Sequence, residues 1–336
     1  MNIAINGFGR IGRLALRAAL LNYPDANIVA VNTSGSMDMH GWAMLFQYDS
    51  AYGKFPQQIS VKQGRENEIG RLVVDNTEIP FLAFREPEQI PWDAYHVDIV
   101  LESTGAFTKR VDAEKHLKPG VRQIIISAPA KGGDVPLLML KINEEQFKGQ
   151  AVVSNCSCTT YSAAPVIKTI VDTFGIMKGN LTTIHAYTSD QRLLDGSHPK
   201  DVRRARAAGH NIIPTSSGAA KALAEVIPEL KGKFTASAYR VPIITGSLSD
   251  ITVLLSRNVT AEEVNNAFTK DANERFNGIM EVTSDPIVSS DIIGNSASAI
   301  VDLSLTEVVD GNLLRVASWY DNEWSYACRL IEMALI

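Results

Sequence analysis

The sequence contains few cysteines and no long hydrophobic run. Its three cysteines, Cys156, Cys158 and Cys328, are too few for a disulfide framework and are not spaced like zinc ligands. The longest apolar stretches fall far short of the roughly 20 residues that a membrane-spanning helix needs. No charged leader or cleavage site is found before the first strand pattern. We therefore expect a cytoplasmic protein with no metal site and no membrane association.

An excess of positive charge is also missing. The 336 residues include 32 Lys and Arg against 37 Asp and Glu, a formal net charge of -5. This balance gives no general attraction to nucleic acid or to an anionic membrane. Repeats, low-complexity tracts and Pro/Gly-rich linkers are absent as well. The length predicts two domains of about 150 residues each, and the lack of a linker predicts that they pack tightly.

Strand and helix patterns alternate in the first half of the chain. Asn2 to Asn6 predicts a strand, Arg13 to Leu21 a helix and Asn27 to Val31 a second strand. Alternation of this kind predicts an α/β Rossmann domain with a doubly wound, mostly parallel sheet. Further strands are predicted at 98–101, 122–127 and 151–153, and a helix near 111–117.

The pattern changes after about residue 150. A long helix is predicted from Thr159 to Phe174, and Thr260 with Glu263 forms a capping-box pattern for a helix ending near Asn273. Few helices separate the remaining strands, so we predict an α+β domain with a mostly antiparallel sheet. These strands are predicted at 180–185, 234–241, 247–256 and 298–304. We place the first domain at 1–153 together with a C-terminal helix at 322–336, and the second at 154–321.

A glycine-rich turn follows the first strand. Gly7 would allow the tight turn, Gly9 would let a pyrophosphate approach the backbone, and Gly12 would let the helix pack closely on the strand. The free N–H groups at the helix start would face the phosphates. The bare spacing also occurs in turns that bind nothing, but its place between a strand and a helix favours a dinucleotide site.

The second strand lacks the carboxylate that usually ends it in NAD-binding proteins. An Asp or Glu there accepts a hydrogen bond from the ribose 2'-hydroxyl and repels the 2'-phosphate of NADP. Here the strand runs into Asn32, Thr33 and Ser34, and the first acidic residue is Asp38. No arginine is close by in the sequence. We therefore expect dual use of NAD and NADP, with hydroxyl and amide donors facing the 2'-phosphate.

One cysteine and one histidine are candidates for nucleophilic chemistry. Cys158 lies at the predicted start of the long helix, where the helix dipole and free N–H groups favour a thiolate. The alternative for such a cysteine is a small buried apolar side chain. His185 ends a predicted strand and could serve as the base that a thiol nucleophile needs.

Arginines are concentrated in the segments that follow His185. Such a cluster is normally a solvated surface, but close to a thiol and to hydroxyls such as Thr188 and Ser217 it could bind phosphate bidentately. The arginines are Arg192, Arg203, Arg204, Arg206 and Arg240.

Taken together, these motifs resemble the glyceraldehyde-3-phosphate dehydrogenase family over essentially the whole chain. The resemblance implies a phosphorylating enzyme that oxidises glyceraldehyde 3-phosphate with NAD(P) and inorganic phosphate to 1,3-bisphosphoglycerate, in glycolysis, gluconeogenesis or carbon fixation. It also implies a homotetramer whose loop from about Thr188 to Arg206 packs at an interface beside a neighbour's cofactor. The matching stretches are residues 5–13 (INGFGRIGR), 102–105 (ESTG), 126–131 (ISAPAK), 157–160 (SCTT), 211–215 (NIIPT), 218–221 (GAAK) and 318–324 (SWYDNEW).

The resemblance also implies a role for each matching residue. Cys158 would form a thioester, with its backbone N–H on the oxyanion, and His185 would act first as base and then as acid. The substrate's terminal phosphate would be held by Thr188, Arg204 and Arg240. The attacking phosphate would be held by Ser157, Thr159, Ser217 and Gly218. The cofactor would contact Gly7, Gly9, Arg10, Ile11, Gly12, Asn32, Thr33, Ser103, Thr104 and Ser127, with Asn322 orienting the nicotinamide carboxamide.

The chain departs from the family pattern at three places. Cys156 stands where alanine is common, Tyr161 and Ser162 replace Asn-Cys, and residues 243–246 (IITG) replace Thr-Pro-Asn-Val. Cys156 either fills space or offers Cys158 an oxidation partner. The change at 243–246 leaves Arg240 in place but bears on substrate preference.

Two other functions are compatible with parts of the pattern. An erythrose-4-phosphate dehydrogenase would share the fold, the cysteine and the histidine, but its relatives tend to lose the threonine that this chain keeps as Thr188. A non-catalytic dinucleotide-binding redox sensor would need neither the nucleophile and base nor the two anion sites. Turnover of the two aldehydes separates these possibilities.

Overall fold

The computed structural model describes all 336 residues, and the chain divides into two compact units. The first unit comprises residues 1–156 and 327–336, and the second comprises residues 157–326. None of the helices combines the length and the apolar character that crossing a membrane requires.

An eight-stranded sheet forms the centre of the first unit. Its strand order is β10-β9-β8-β1-β2-β7-β6-β5, parallel from β10 to β7 and antiparallel over β6 and β5. The two remaining strands, β3 and β4, pair only with each other. The strands are β1 (Asn2–Asn6), β2 (Asn27–Asn32), β3 (Tyr48–Asp49), β4 (Gly53–Lys54), β5 (Ile59–Lys62), β6 (Gly70–Val74), β7 (Thr77–Leu82), β8 (Ile99–Glu102), β9 (Gln123–Ile126) and β10 (Val152–Ser154).

Helices cover the parallel part of this sheet, so its strands are apolar on both faces. Ile3, Ala4 and Ile5 are consecutive and fully buried, as expected for a parallel strand between helical layers. The prediction of a mostly parallel Rossmann sheet is confirmed. The helices of this unit are α1 (Arg10–Asn22), α2 (Met39–Gln47) and α3 (Arg110–Ala113), the last continued by a single 3-10 turn where a longer helix was predicted.

The second unit contains a seven-stranded sheet in the order β12-β13-β11-β14-β17-β16-β15. Four neighbouring pairs are antiparallel and two are parallel, which confirms the predicted mostly antiparallel sheet. Burial alternates residue by residue along β14, because one face packs on helices. The strands are β11 (Ile176–Ala186), β12 (Ile213–Ser216), β13 (Phe234–Val241), β14 (Ser247–Leu255), β15 (Met280–Thr283), β16 (Ala299–Val309) and β17 (Leu313–Tyr320).

Side-chain caps start two helices of the second unit. Ser157 accepts a hydrogen bond from the Thr160 N–H, so α4 begins at Cys158. Thr260 accepts from the Glu263 N–H, which confirms the predicted start of α6. The helices of this unit are α4 (Cys158–Phe174), α5 (Ala219–Val226) and α6 (Ala261–Asn273). The last helix of the chain, α7 (Trp324–Met333), is shorter than the predicted 322–336, and its residues from Ala327 onwards belong to the first unit.

Candidate active site

The first unit has a cavity of about 350 Å³ beyond the C-terminal ends of β1, β2 and β8. Ligands of open α/β sheets bind at this edge, where loops diverge from the strands. Six of the residues predicted to bind the cofactor are in its wall: Gly7, Gly9, Asn32, Thr33, Ser103 and Thr104.

The glycine turn leaves no room for side chains at two of its three positions. Gly7 has φ +98°, and a Cβ there would lie 2.7 Å from the Thr104 nitrogen. A Cβ on Gly12 would lie 1.9 Å from the Gly7 carbonyl oxygen. A Cβ on Gly9 would meet nothing within 4 Å, so this position is open to a ligand. The turn therefore fits the close approach of a pyrophosphate.

Several polar side chains of the cavity wall hold the wall itself together. The Asn32 amide donates to Asn6 Oδ1 (2.8 Å) and to the Phe84 carbonyl (3.0 Å). The Thr33 hydroxyl donates to the Leu82 carbonyl at 3.1 Å. The Ser103 hydroxyl is different, because it is buried and has no hydrogen-bond partner. Ser103 is therefore the predicted side chain best placed to bond a ligand.

The sequence analysis missed an arginine in this wall. Arg85 is exposed and lines the cavity together with Thr33 and Ser34. It follows β7, and β7 pairs with β2 in parallel through Val31–Phe81 and Asn32–Leu82. That strand pairing joins two segments far apart in the sequence, so no local pattern could indicate it.

The other residues predicted for the cofactor lie outside the cavity wall. Arg10, Ile11 and Gly12 form the first turn of α1, where backbone N–H groups have no helical partner. The Arg10 guanidinium bonds the Asp49 carboxylate at 2.5 Å. Ser127 follows β9, and Asn322 belongs to the second unit.

The predicted nucleophile and base come together in the second unit. Cys158 is the first residue of α4 and His185 lies near the end of β11. The Cys158 Sγ and His185 Nε2 atoms are 3.5 Å apart, and the cysteine is partly exposed whereas the histidine is buried. A proton can therefore pass directly between the two side chains.

The surroundings of the ring select one protonation state of His185. Its Nδ1 lies 2.7 Å from the Ala186 carbonyl oxygen and also 2.7 Å from a terminal nitrogen of Arg240, which can only donate. A proton on Nδ1 would satisfy the carbonyl and leave Nε2 as an acceptor towards Cys158, whereas a proton on Nε2 would leave Nδ1 to accept from Arg240. Burial and the positive charge of Arg240 lower the pKa of His185 to about 3. The imidazole is therefore neutral near pH 7. Because its folded-state pKa lies below the ordinary 6.5, the stability that it contributes is lost as the pH falls from about 6.5 towards 3.

Burial also acts on the thiol. It raises the pKa of Cys158, while the Arg240 charge and the hydrogen bonds at the helix start act in the opposite direction. The sequence predicted that the helix start would favour the thiolate, but burial outweighs that effect here. The thiol is thus protonated at rest, and His185 is the side chain placed to take its proton.

Two arginines place positive charge close to this pair. Arg240 on β13 is the register partner of His185 on β11. One of its terminal nitrogens donates to the Ala186 carbonyl at 3.0 Å, whereas its buried Nε has no partner. Arg204 bonds Thr215 and Asp190, and its charge also lowers the pKa of His185. A bound anion would supply the acceptor that the Arg240 Nε lacks.

The residues predicted to bind the attacking phosphate lie at the starts of two helices. Ser157 caps α4, and its hydroxyl also contacts Thr160. Ser217 and Gly218 directly precede α5, and the Ser217 hydroxyl accepts from the Ala219 N–H at 3.2 Å. Helix starts favour anions because their N–H groups are unpaired.

The remaining hydroxyls of the predicted anion sites are Thr159 and Thr188. The Thr159 hydroxyl contacts the Tyr320 hydroxyl at 3.1 Å. Thr188 follows β11, and its N–H donates to the Gln191 side chain at 3.3 Å. Both residues are thus held in place by neighbours within the second unit.

Tyr320 is a site residue that sequence reasoning missed. It is fully buried, and its hydroxyl contacts both Thr159 and Thr183, the latter at 2.8 Å. The edge of its ring meets the His185 ring at a centroid distance of 6.0 Å. It therefore braces the start of α4 and the end of β11. Its place in the stretch 318–324 was the one sequence signal that could have indicated it.

Two of the three departures from the family pattern, at Cys156 and at Tyr161 and Ser162, lie in buried positions. Cys156 is fully buried with φ +53°, and its sulfur lies 3.9 Å from the Leu138 carbonyl oxygen. Tyr161 packs edge-on against Tyr326, and the Ser162 hydroxyl contacts Ser249 at 3.1 Å. These contacts favour space filling as the role of Cys156.

Comparisons with known proteins agree with the geometry. Residues 1–110 match the family model described as glyceraldehyde 3-phosphate dehydrogenase, NAD binding domain, and residues 157–322 match the one described as its C-terminal domain. The chain is 48% identical to glyceraldehyde-3-phosphate dehydrogenase of Streptomyces coelicolor over 100% of this chain and 98% of that protein. It is 46% identical to the protein of the same name from Geobacillus stearothermophilus over 99% and 97%.

Proposed function

Because the chain belongs to the glyceraldehyde-3-phosphate dehydrogenase family, we propose that it oxidises glyceraldehyde 3-phosphate with NAD(P) and inorganic phosphate to 1,3-bisphosphoglycerate, reversibly. The observation that carries the proposal is the Cys158–His185 pair, 3.5 Å apart, beside a buried arginine whose Nε has no partner. The first unit would hold the dinucleotide and the second would carry out the chemistry.

The first step would be attack by Cys158 on the aldehyde carbon. As the C–S bond forms, the thiol proton would pass to His185 Nε2, which can accept it in the tautomer whose ring proton lies on Nδ1, towards the Ala186 carbonyl. The new oxyanion would be stabilised by the backbone N–H of Cys158, because this residue begins α4. The product of this step is a hemithioacetal on the enzyme.

Arg240 and Arg204 would hold the phosphate of the substrate, with Thr188. Charge-assisted bonds from guanidinium groups are the strongest that proteins offer to phosphate. Binding of this anion has a second effect. It offsets the two positive charges that lower the pKa of His185, so the histidine becomes a better base once the substrate is present.

The dinucleotide would be held by the glycine turn, the first turn of α1, Ser103 and Thr104, with Asn322 at the nicotinamide. When bound, it would accept the hydride whose loss converts the hemithioacetal into a thioester. Inorganic phosphate would then attack the thioester from a site formed by Ser157, Thr159, Ser217 and Gly218, releasing the acyl phosphate and the Cys158 thiolate, which takes a proton back from His185.

We predict that sustained turnover requires inorganic phosphate or arsenate. Initial rates measured with glyceraldehyde 3-phosphate and erythrose 4-phosphate, with NAD and NADP, and with and without phosphate test the whole proposal in one series. The three-carbon aldehyde should be preferred. Multiple turnovers at full rate in phosphate-free and arsenate-free buffer would mean that water attacks the thioester.

In the same assay Arg240→Ala should weaken the apparent affinity for glyceraldehyde 3-phosphate about thirtyfold, which corresponds to about 2 kcal/mol.

Cofactor preference gives a separate prediction. The wild type should use both dinucleotides. Thr33 stands where a carboxylate would repel the 2'-phosphate of NADP, and the positively charged Arg85 lines the same cavity. Thr33→Asp should shift the ratio of kcat/KM values towards NAD by about tenfold, equal to about 1.4 kcal/mol. Arg85→Ala should lower kcat/KM for NADP more than for NAD. A wild-type kcat/KM for NADP several hundredfold below that for NAD would contradict the prediction.

We also propose that the chain forms a homotetramer in the cytoplasm. The loop from about Thr188 to Arg206 carries Leu193 and Leu194, which are 82% and 76% exposed. Adjacent exposed leucines are unusual on a monomer and are typical of a surface that another copy covers. The mass of the assembly by analytical ultracentrifugation checks this assignment.

A further inference from the structure

Ser247 lies between the ends of two strands that carry residues of the site. It begins β14 and is fully buried. On one side it is the register partner of Tyr320, at the end of β17. On the other side its hydroxyl accepts a hydrogen bond at 3.1 Å from the N–H of Ala186, the residue after His185.

The Ser247 hydroxyl also fixes a neighbouring amide. Because its oxygen accepts from the Ala186 N–H, its single hydrogen is free to donate, and Asn322 Oδ1 lies 2.8 Å away. The Gly246 N–H points to the same Oδ1 at 3.1 Å. A backbone N–H can only donate, so the atom that faces it must be the amide oxygen. The orientation of the Asn322 amide is thereby determined.

Gly246 can supply this N–H because of its backbone conformation. Its φ is +88°, and a Cβ at this position would lie 2.4 Å from the Ser289 carbonyl oxygen. Only glycine fits such a turn without strain. Ser247 and Gly246 together therefore hold the Asn322 oxygen from one side. The Asn322 Nδ2 makes no hydrogen bond in the structure, which leaves both of its hydrogens for a ligand.

We propose that Ser247 is a positioning residue that acts through Asn322. It keeps the amide oxygen turned inward, so that Nδ2 donates to the carboxamide oxygen of a nicotinamide and selects one face of its ring. With the amide reversed, two oxygens would face each other and repel. The inference rests on the proposed function, in which Asn322 contacts the nicotinamide. Ser247 itself does not touch the reacting atoms.

The test compares Ser247→Ala with Ser249→Ala in initial-rate assays. Ser249 is a buried serine on the same strand whose hydroxyl bonds Ser162, so it is a matched control for the loss of one buried hydroxyl. Ser247→Ala should raise the Kd for NAD, measured by isothermal titration calorimetry without aldehyde, and lower kcat/KM for NAD by about tenfold, the cost of one buried hydrogen bond. KM for the aldehyde and the pH profile of kcat/KM should not change. Ser247→Cys, which keeps the volume but donates weakly, should shift the same constants in the same direction.

A double-mutant cycle with Asn322→Ala separates positioning from general damage. If Ser247 acts through Asn322, the Ser247→Ala substitution should have no further effect on kcat/KM for NAD once Asn322 is alanine. An equal tenfold loss in both backgrounds, or a shifted pH profile that points to His185, would overturn the inference. So would a Ser247→Ala enzyme that matches Ser249→Ala. A wild-type enzyme that reduces neither dinucleotide would instead contradict the proposed function.

Discussion

Cys158→Ser is expected to abolish aldehyde oxidation. In the proposed mechanism the wild-type thiol gives up its proton to His185 Nε2, 3.5 Å away, as it attacks. A serine hydroxyl at the same place does not ionise near pH 7 and would form an ester in place of the reactive thioester. The measurement is the initial rate of NAD(P) reduction with glyceraldehyde 3-phosphate and phosphate, followed by nicotinamide absorbance. Activity comparable to that of the wild type would remove Cys158 from the mechanism.

The matched control is the neighbouring cysteine. Cys156→Ala should keep most of the activity, because Cys156 is fully buried and its sulfur makes a long contact with the Leu138 carbonyl. Alanine tolerates the positive φ no worse than cysteine does, so the backbone should not move. A loss as large as that of Cys158→Ser would show that the nucleophile had been assigned to the wrong cysteine.

His185→Asn should lower kcat by roughly 10² to 10⁴, the usual effect of losing a general base. The expected loss is large because burial raises the pKa of the Cys158 thiol, and a protonated thiol is a poor nucleophile without a base. The thiol should also react more slowly with an alkylating reagent such as iodoacetamide in the variant. Both rates are measured on the same preparation.

An exposed histidine, His210, provides the matched control for His185→Asn. His210 lies in the same unit and is exposed, so His210→Asn should retain wild-type rates of turnover and of alkylation. If His185→Asn turned over within a few-fold of the wild type, the proton would have to leave by another route, and the role of His185 as base would be wrong.

The sequence predicted the bounds of two strands correctly. The strand from Asn2 to Asn6 and the one from Phe234 to Val241 have the predicted bounds. The strands between residues 59 and 82 were missed, although Asp75 and Asn76 form the turn between β6 and β7. The helix α2 was missed too, although Asp38 caps it by accepting from the Gly41 N–H. That cap was a readable signal.

The site was only partly predictable, for a physical reason. Cys158 and His185 could be singled out from their positions and from the family resemblance. Arg85 could not, because strand pairing brings it to the cavity, and only the place of Tyr320 in the stretch 318–324 could have indicated that residue. The direction of a hydroxyl is equally hidden from the sequence. Thr33 was expected to face a ligand, yet its hydrogen goes to the Leu82 carbonyl.

The pairing of His185 with Arg240 also limits what substrates the protein can accept. The two residues are partners on adjacent parallel strands, β11 and β13, and adjacent strands lie about 4.8 Å apart. The hydrogen-bonded ladder therefore fixes the spacing between the backbone positions of the proposed base and the proposed anion-binding arginine, and no loop movement can lengthen it. Preference for a longer or shorter phosphorylated aldehyde would have to depend on Arg204, which lies in a single 3-10 turn outside the sheet.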